Sequence, residues 1–310
     1  MSSSPKRKRV PVHGVLLLDK PVGLSSNDAL IKAKRLLNAE KAGHTGTLDP
    51  FATGLLPLCF GEATKFAQDL LDADKTYETV VHLGIATTTG DTEGEVVETR
   101  NVDVDRERIA EVLARFVGNI EQVPPMHSAL KRDGKPLYEY GRAGITLERE
   151  ARTVTIHELQ LLDWQMPYLT LRVCCSKGTY IRVLGEDIGA ALGCGAHLQA
   201  LRRIQVGNLK IDAAMTLDDL GQTAEQERTT TLAPVDALLT SFPSVQLPEV
   251  LAKRFLHGQR LALGKENVAY PEGGGRVRVY RQEDHRLLGT GLMQTWGVLA
   301  PERLIAAAGI

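Results

Sequence analysis

The 310-residue chain has little of what marks an exported, membrane-bound or disulfide-stabilised protein. It has four cysteines, and its charged start is not followed by the apolar run of a signal peptide, which predicts a cytoplasmic location and no disulfide framework. No stretch reaches the roughly 18 apolar residues of a membrane helix. Hydrophobic residues make up 43% of the chain and charged residues 24%, which is typical of a globular protein of about two domains.

A strong net charge is also absent. The net charge of −1 excludes both a strongly basic nucleic-acid binder of the histone type and an acidic disordered chain. The charges are nevertheless distributed in blocks, with basic blocks at residues 1–9, 172–210 and 251–310 and acidic blocks at 87–108 and 211–230. Such blocks are either solvated faces or parts of a basic face on a neutral protein.

The motifs of the common cofactor and hydrolase folds are missing. The chain has no G-x-x-x-x-G-K-[ST] phosphate loop, no G-x-G-x-x-G dinucleotide turn and no G-x-S-x-G nucleophile elbow. Cys174, Cys175, Cys194 and His197 lack the spacing of a zinc site, because adjacent cysteines chelate poorly. We therefore expect no cofactor and no metal, and chemistry that uses carboxylates, tyrosines, histidine, lysine and arginine.

Composition along the chain predicts an organisation in parts. Residues 1–12 are polar and basic and are predicted to be a disordered tail. Residues 13–245 are predicted to form the main domain, and within it the polar, basic and turn-rich stretch 124–152 is predicted to protrude as an insertion. After a polar boundary region that contains prolines, residues 246–310 are predicted to form a small β-rich domain.

Hydrophobic periodicity predicts the elements of the main domain. Apolar runs and period-two alternation predict strands, and apolar residues at helical spacing predict helices. The predicted strands are 14–18, 55–60, 75–84, 153–164 and 168–175, and the predicted helices are 26–38, 62–71, 105–117 and 182–192.

The most informative segment is the loop from Gly43 to Pro50, with the sequence GHTGTLDP. Its two glycines allow tight backbone turns beside His44 and Thr45, and Pro50 restricts Asp49 to an extended conformation. The segment is therefore a rigid mount for one carboxylate. The structural alternative is an Asp-Pro turn closed by an Asx hydrogen bond, but the histidine and threonine between the glycines favour a functional site.

At this loop the chain resembles the TruB family, the tRNA pseudouridine-55 synthases of bacteria. The family's other motifs follow in order over residues 13–210, and together they are specific although each alone is weak. They are Leu18-Asp19-Lys20-Pro21 with Ser25-Ser26-Asn27, Gly61-Glu62-Ala63-Thr64-Lys65, Asp74-Lys75-Thr76-Tyr77, Pro125-Met126-His127-Ser128-Ala129-Leu130-Lys131, Leu137-Tyr138-Glu139-Tyr140, Cys175-Ser176-Lys177-Gly178-Thr179-Tyr180-Ile181-Arg182, Gly195-Ala196-His197 and Leu201-Arg202-Arg203.

The resemblance implies an α+β fold with a pseudouridine-synthase core. This core is a mixed, largely antiparallel sheet with flanking helices, an active-site cleft on one face and a thumb insertion at 124–152, followed by a small PUA-like RNA-binding domain. The implied reaction breaks the bond between uracil N1 and ribose C1′, rotates the base and joins its C5 to C1′. Because no redox step and no net hydrolysis occurs, the reaction needs no cofactor.

The resemblance assigns the central chemistry to three residues. Asp49 is the catalytic carboxylate, which attacks the sugar, attacks the base or first acts as an acid or base, much as carboxylates serve glycosidases. Arg182 is its basic partner, expected to keep it ionised through a bidentate ion pair. Tyr77 stacks on a uracil that has been flipped out of its helix, and its phenol is a candidate for proton transfer.

Further residues are expected to bind the substrate. Tyr180 precedes Arg182 by two positions, which in an extended strand would put both side chains on one face of the pocket. By resemblance, Leu201 is the apolar residue of the pocket and His44 helps to hold the flipped RNA structure. A hydrogen-bonded loop histidine is the alternative for His44.

Three charged residues complete the predicted site. Lys20 and Lys65 fit contacts with phosphate or with a loop, and Asp91 is either next to the substrate or a simple turn acid. Two positions depart from the family pattern, since Thr88 stands where Asp is usual and His127 where Tyr is usual. These departures put in doubt only local contacts in the insertion and the Asp91 loop.

Together these assignments predict a monomeric enzyme, with no membrane partner, that isomerises a uridine in the T-arm stem-loop of tRNA at position 55. The insertion and the C-terminal domain suit docking on a folded stem-loop recognised by its shape. Two alternatives remain, a non-catalytic RNA-binding or RNA-folding protein and a related synthase with another RNA target. We further predict that the basic blocks converge around Asp49 and that the acidic blocks lie away from it.

Overall fold

The computed structural model of the chain describes residues 8–306. Within that range, no helix combines the length and the apolar character needed to cross a bilayer. The strands are β1 (Gly14–Lys20), β2 (Ala42–His44), β3 (Thr53–Phe60), β4 (Lys75–Leu83), β5 (Ile85–Thr87), β6 (Val96–Thr99), β7 (Gly118–Gln122), β8 (Lys131–Arg132), β9 (Lys135–Pro136), β10 (Arg152–Gln165), β11 (Tyr168–Cys175), β12 (Ala196–Val206), β13 (Leu209–Lys210), β14 (Ser244–Leu247), β15 (Leu261–Ala262), β16 (Gly275–Arg281), β17 (Leu287–Met293) and β18 (Val298–Leu304).

Two of the longer helices begin where a polar side chain caps them. Ser25 accepts the N–H of Asp28 (3.1 Å) ahead of the first helix, and Asp105 accepts the N–H of Arg108 (2.8 Å) ahead of the third. The α-helices are α1 (Ser26–Leu36), α2 (Ala67–Leu71), α3 (Arg106–Arg115), α4 (Leu137–Arg142), α5 (Ile181–Leu192), α6 (Leu217–Gln222) and α7 (Glu249–Leu256). The predicted helix 62–71 is in fact a 3₁₀ helix, Gly61–Phe66, followed by α2.

Within residues 8–306, the larger sheet has nine strands. Its main order is β1-β3-β12-β4-β11-β10-β7, with β2 paired to β3 and β13 paired to β12. Strands β3 and β12 run parallel and the other neighbours run antiparallel. The prediction of a mixed, largely antiparallel sheet with flanking helices is confirmed.

The centre of this sheet is fixed by burial of one of its faces. On β4, Thr79, Val81 and Leu83 share one buried face, and Tyr77 is the next residue on that face toward the start of the strand. Helix α5 packs against β12, and Gly185 permits the close approach, because an added Cβ would lie 2.6 Å from a methyl carbon of Leu198. The start of α5 is therefore held at a fixed height above the sheet.

In the described part of the chain, the smaller sheet has five strands in the order β14-β16-β17-β18-β15. Leu251 and Phe255 of α7 pack in one hydrophobic cluster with Val277 and Val279 of β16. The β-rich character predicted for the C-terminal part is confirmed. The boundary predicted between residues 245 and 246 stays a prediction, and strand β14 extends across it.

The first described residues pair with the segment that follows α1. Val10 donates its N–H to the Asn38 carbonyl (2.9 Å) and accepts the N–H of Glu40 (3.1 Å), and Val12 is buried. The prediction of a disordered tail through residue 12 is therefore wrong, because two valines of this segment find backbone and apolar partners. The part of that prediction that concerns residues 1–7 lies outside the described residues.

The stretch 124–152 connects β7 and β10, which are neighbours at one edge of the larger sheet. It contains the β8–β9 hairpin and α4, and most of its residues are exposed. The N–H of Leu137 donates to the Leu130 carbonyl (2.7 Å) and the N–H of Tyr138 to the Ser128 carbonyl (3.1 Å), which fixes α4 against its base.

The two sheets are joined by a shared hydrophobic cluster and by a buried ion pair. Leu55 of β3 packs in the same cluster as Leu287 of β17. The side chain of Asp69 is 8% exposed and pairs with Arg276 of the smaller sheet. Arg276 also lies 2.6 Å from Glu302, so one guanidinium binds a carboxylate of α2 and a carboxylate of β18.

Replacing Arg276 by methionine will lower the free energy of unfolding by about 3 kcal/mol, because Asp69 is left buried without its cation. Urea denaturation measures the change. The control is Arg254→Gln, since Arg254 and Glu266 form an ion pair with side chains 40% and 37% exposed. We expect at most about 1 kcal/mol for this surface pair. Equal effects of the two variants would contradict the proposed importance of the buried pair.

Candidate active site

The loop that carries Asp49 is anchored at both neighbours of that residue. Ser26, buried at the start of α1, accepts the N–H of Leu48 (2.7 Å) and donates its hydroxyl to the Leu48 carbonyl (3.0 Å). On the other side, the N–H of Gly23 donates to the Pro50 carbonyl (2.8 Å). The loop therefore presents Asp49 between two fixed residues.

Arg182 is the partner of Asp49, with its Nε 3.0 Å from Asp49 Oδ2. The two terminal nitrogens of Arg182 go elsewhere, since Nη1 donates to the Thr89 carbonyl (2.8 Å) and Nη2 to the His127 carbonyl (2.5 Å). The bidentate ion pair with Asp49 predicted from the sequence is therefore wrong, because the guanidinium meets the carboxylate through Nε and turns both terminal nitrogens toward backbone carbonyls. The Asp49 carboxylate nevertheless binds an arginine, as expected of a functional site, rather than closing an Asx turn.

A second carboxylate, that of Asp91, lies behind the same guanidinium. Its Oδ2 is 3.5 Å from Arg182 Nε, and its side chain is 3% exposed. The hydroxyl of Thr89 and the N–H of Glu93 both donate to its other oxygen. Asp91 thus closes its own turn and holds Arg182 from the inside, and it does not line the cavity in front of Asp49.

Tyr180 and Arg182 enter the site from the start of a helix. The chain leaves β11, turns at Gly178 with a left-handed φ of +81°, and enters α5 directly after Tyr180. The extended strand assumed from their spacing is therefore wrong. The amide of Gln122 fixes the backbone of Tyr180, because its Oε1 accepts the Tyr180 N–H (3.0 Å) and its Nε2 donates to the Tyr180 carbonyl (3.2 Å).

Strands β4 and β12 supply the floor of the site. Tyr77 comes from β4, and Leu201 and Arg203 lie two positions apart on β12, on one face of the sheet. Arg203 is 1% exposed. Its Nε donates to the Leu55 carbonyl (2.8 Å) and its Nη2 to the Gly46 carbonyl (3.3 Å), which ties β12 to the Asp49 loop.

A cavity of about 640 Å³ opens in front of Asp49. Six of the predicted site residues line it, namely His44, Asp49, Tyr77, Tyr180, Arg182 and Leu201. Its wall also includes Ser128, Ala129 and Leu130 from the insertion. The structure therefore brings these residues together, while the individual role of each stays a prediction.

Two predicted lysines are not part of this cavity. Lys20 is fully buried, and its Nζ donates to the carbonyls of Pro21 (2.9 Å), Leu24 (2.7 Å) and Pro50 (3.4 Å), so it contacts the Asp49 loop from behind. Burial lowers the pKa of Lys20 to about 8. Lys65 instead lies against the smaller sheet, where its Nζ donates to the Leu304 carbonyl (2.8 Å).

The predicted separation of the charge blocks is wrong at this site. Asp91 and Glu93 belong to the acidic block 87–108 but lie beside Asp49. Burial raises the pKa of Glu93, and the Asp91 and Asp49 carboxylates raise it further. The reason for this placement is Arg182, because a buried guanidinium needs anionic partners.

Burial and charge set the protonation of the cavity residues. The side chain of Asp49 is 36% exposed. Burial of the remainder raises its pKa above the ordinary aspartate value, although the nearby Arg182 guanidinium opposes the shift. Burial also raises the pKa of the Tyr77 phenol and lowers the pKa of His44. At neutral pH the site therefore combines a neutral phenol and a neutral imidazole with one titratable carboxylate.

Sequence reasoning missed two residues that shape the site. Arg203 had only a partial signal, because it follows the predicted pocket residue Leu201 by two positions, but strand β12, which puts the two side chains on one face, was not predicted from the sequence. Gln122 had none, since a glutamine at the end of a strand is unremarkable until Tyr180 is placed beside it.

Models of known protein families match most of the chain. The model of the TruB family pseudouridylate synthase N-terminal domain matches residues 34–181. The models of the tRNA pseudouridylate synthase B C-terminal domain and the pseudouridine synthase II TruB C-terminal domain match residues 182–240 and 243–305. The fold and the cavity therefore belong to the class of pseudouridine synthases, which are isomerases.

Curated relatives and solved structures agree with this class. The tRNA pseudouridine synthase B of Burkholderia mallei (strain ATCC 23344) is 64% identical over 98% of each chain, and that of Cupriavidus pinatubonensis is 62% identical over 97% of this chain and 96% of its own. The chain belongs to the TruB family. A structure of a Cbf5-Nop10-Gar1 complex matches with a TM-score of 0.72 and 27% identity, covering 98% of this chain and 91% of that chain. An H/ACA RNP bound to a substrate RNA containing 2'-deoxyuridine matches with a TM-score of 0.73 and 25% identity, covering 98% and 92%.

Proposed function

We propose that this chain isomerises the uridine at position 55, in the T-arm loop of tRNA, to pseudouridine, as a monomer in the cytoplasm. The observation that carries the proposal is the contact between Asp49 and Arg182 in a cavity lined by Tyr77 and Tyr180. Relatives named tRNA pseudouridine synthase B, 64% identical over 307 residues, support tRNA as the substrate.

Asp49 is the nucleophile of the proposed reaction. Its carboxylate attacks either the sugar or the base while the bond between N1 and C1′ breaks, and the detached uracil turns so that C5 meets C1′. Arg182 holds the carboxylate at one oxygen through Nε, which leaves the other oxygen for the substrate. The rigid anchoring of both neighbours of Asp49 supports this role, because a nucleophile must be held in its attacking geometry.

The remaining lining residues bind the nucleotide that has left its stack. Tyr77 stacks on the uracil, a contact worth about 1–3 kcal/mol per base. Leu201 and Tyr180 complete the walls of the pocket, and His44, neutral at pH 7, helps to hold the flipped RNA. Of the other predicted residues, Asp91 orients Arg182 from behind.

Two lysines and the smaller sheet support the site from outside the cavity. Lys20 steadies the Asp49 loop by donating to the Pro50 carbonyl (3.4 Å). Lys65 joins the 3₁₀ helix Gly61–Phe66 to the smaller sheet through the Leu304 carbonyl, and the smaller sheet contributes to docking of the tRNA as a PUA-like module. The exposed insertion 124–152, which contributes Ser128, Ala129 and Leu130 to the cavity wall, contacts the RNA stem-loop beside the cavity.

Tritium release from a tRNA transcript labelled at uridine C5 tests the proposal, together with mapping of pseudouridine in RNA from a strain that lacks the protein. We expect release in vitro and loss of pseudouridine at the T-loop position in the strain. If that position stays modified in the strain, another RNA is the target. If the protein binds tRNA without any release, it is an RNA-binding protein rather than a synthase.

The pH dependence of the reaction should report Asp49. Because its carboxylate must be ionised to attack, and because burial raises its pKa, kcat/KM will fall with decreasing pH through a pKa above the ordinary aspartate value of about 3.9. Initial rates between pH 4 and pH 8 measure this limb. An acid limb at or below the ordinary value would contradict the assignment.

Replacing Ser26 by alanine will lower kcat, on the order of 10²-fold, without changing KM. The reason is that Ser26 contacts no substrate but holds both backbone groups of Leu48, next to Asp49. Single-turnover tritium release measures kcat. Amide hydrogen exchange at Leu48 provides an independent measurement, because its N–H loses its acceptor.

The matched control is Ser25→Ala. Ser25 is the adjacent hydroxyl and caps the same helix through Asp28, but it does not touch the loop. We expect the control to lose about 1 kcal/mol of stability with an unchanged kcat. Equal effects of the two variants on kcat would mean that general destabilisation, not positioning of the loop, explains the loss.

A further inference from the structure

The cations that line the cavity differ in how fully the protein binds them. They are Lys75, Arg152, Arg182 and Arg203. Lys75 donates to carbonyls of the turn that precedes β4, and Arg203 donates to carbonyls of β3 and of the Asp49 loop. Arg182 lies between two carboxylates and two carbonyls. Of the four cations, Arg152 is therefore the one whose hydrogen-bond donors the protein does not use up.

Arg152 makes two contacts within the described part of the chain. One of its terminal nitrogens donates to the Gly178 carbonyl, and its Cζ lies 5.0 Å from the centroid of the Tyr180 ring. Among residues 8–306 it forms no ion pair with a carboxylate, and its Nε is buried without a hydrogen-bond partner. A guanidinium with free donors at the wall of a substrate cavity is suited to bind an anion.

Arg152 also belongs to a structural unit that holds Tyr180. It lies opposite Gln122 in the register of β10 and β7. Gln122 forms hydrogen bonds with both the N–H and the carbonyl of Tyr180, and Arg152 stacks against the ring of Tyr180. Gln122 and Arg152 stand where the insertion leaves the sheet and returns to it, so the base of the insertion and the pocket tyrosine are fixed together.

The geometry allows Arg152 to do two things at once. Stacking uses the flat face of the guanidinium, whereas hydrogen bonds leave from its edge. We propose that the edge of Arg152 binds a backbone phosphate directly next to the reacting nucleotide while its face positions the ring of Tyr180. This inference rests on the proposed function in one respect, that the substrate is RNA.

The test replaces one RNA phosphate at a time by a neutral methylphosphonate in a stem-loop that contains the target uridine. At one of the phosphates flanking that uridine, we expect wild-type kcat/KM to fall about tenfold or more, as for loss of a charge-assisted hydrogen bond. In Arg152→Gln, kcat/KM for the unmodified RNA should already be lowered by that factor. Replacing the same phosphate by methylphosphonate should then lower kcat/KM of this variant little further. If no flanking methylphosphonate affects the wild type, or if the losses multiply at every flanking position, the proposal is wrong.

Two further variants separate the charge of Arg152 from its shape and from general effects. Arg152→Lys keeps the charge but loses the flat face. Its kcat/KM should therefore still depend on the flanking phosphate, while its kcat should fall. A lysine variant that is insensitive to that phosphate would contradict the proposal. Arg115→Gln is the control, because Arg115 is exposed in the last turn of α3 and does not line the cavity. Any change in kcat/KM caused by Arg115→Gln should be the same with each methylphosphonate RNA as with the unmodified RNA. Turnover of unmodified RNA by the wild type tests the proposed function separately.

Discussion

Replacing Asp49 by asparagine will reduce pseudouridine formation by a factor of at least about 10⁴, the order seen when a catalytic group that acts directly on the reacting atoms is removed. Asparagine keeps the shape of the side chain but removes the nucleophilic charge. Tritium release under single-turnover conditions measures the loss. Binding of the tRNA transcript should change little, because the contacts of the other lining residues remain.

Stability distinguishes this catalytic loss from a structural one. The folded state raises the pKa of Asp49, so it binds the proton more tightly than the unfolded chain does, and ionisation at neutral pH opposes folding. The asparagine variant should therefore be at least as stable as the wild type in urea denaturation. Asp103→Asn, at an exposed position before α3, is the control and should retain full activity. Tritium release by Asp49→Asn at the wild-type rate would overturn the mechanism.

The parts of the fold that the sequence predicted are those set by local patterns. Strand β4 follows from the alternation that ends at Val81 and Leu83, and α5 follows from the spacing of Leu184 and Ile188. The predicted boundaries of both elements lie within two residues of the observed ones, because a buried face requires apolar residues to recur in the sequence with the period of the strand or helix. The mount for Asp49 was predictable for a similar reason, since glycine and proline restrict the backbone locally.

The parts that could not be predicted depend on contacts between distant residues. The spacing of Tyr180 and Arg182 is compatible with a strand, although the helix predicted over 182–192 already included Arg182; the left-handed turn at Gly178, which places Tyr180 directly before that helix, has no such signal. Likewise, the carbonyls of Thr89 and His127 carry no sequence signal, yet they determine that Arg182 meets Asp49 through Nε alone. Backbone groups were decisive here, and residue types do not encode their positions.

Charge was the least predictable property. The sequence suggested that acidic segments would avoid the active site, but burial of Arg182 reverses this expectation. A cation that is 4% exposed requires anions from the nearest loops, and Asp91 supplies one. The near-neutral total of the chain is thus partly explained by acids that balance buried arginines rather than by acids placed at a distance.

Replacing Arg182 by methionine should be the most damaging change to stability in the site. The guanidinium is 4% exposed and lies between Asp49 (3.0 Å) and Asp91 (3.5 Å). Its loss leaves two neighbouring carboxylates without a cation, which should lower the free energy of unfolding by about 3–5 kcal/mol. Arg172→Met is the control, since Arg172 pairs with Glu78 and their side chains are 41% and 36% exposed. For that pair we expect at most about 1 kcal/mol.

Activity and pH dependence should change together in the same variant. Without Arg182, repulsion from Asp91 raises the pKa of Asp49 still further, so the acid limb of kcat/KM will move to higher pH than in the wild type. We also expect kcat to fall by about 10²–10³-fold near neutral pH, because the carboxylate loses its orienting partner. Compared with Arg182→Met, Arg182→Lys should bring the acid limb part of the way back toward its wild-type position, because the positive charge is restored. It should recover little of kcat, since one ammonium cannot replace the contacts of the guanidinium with two carboxylates and two carbonyls. An acid limb that stays in place in Arg182→Met would mean that Arg182 does not govern the ionisation of Asp49.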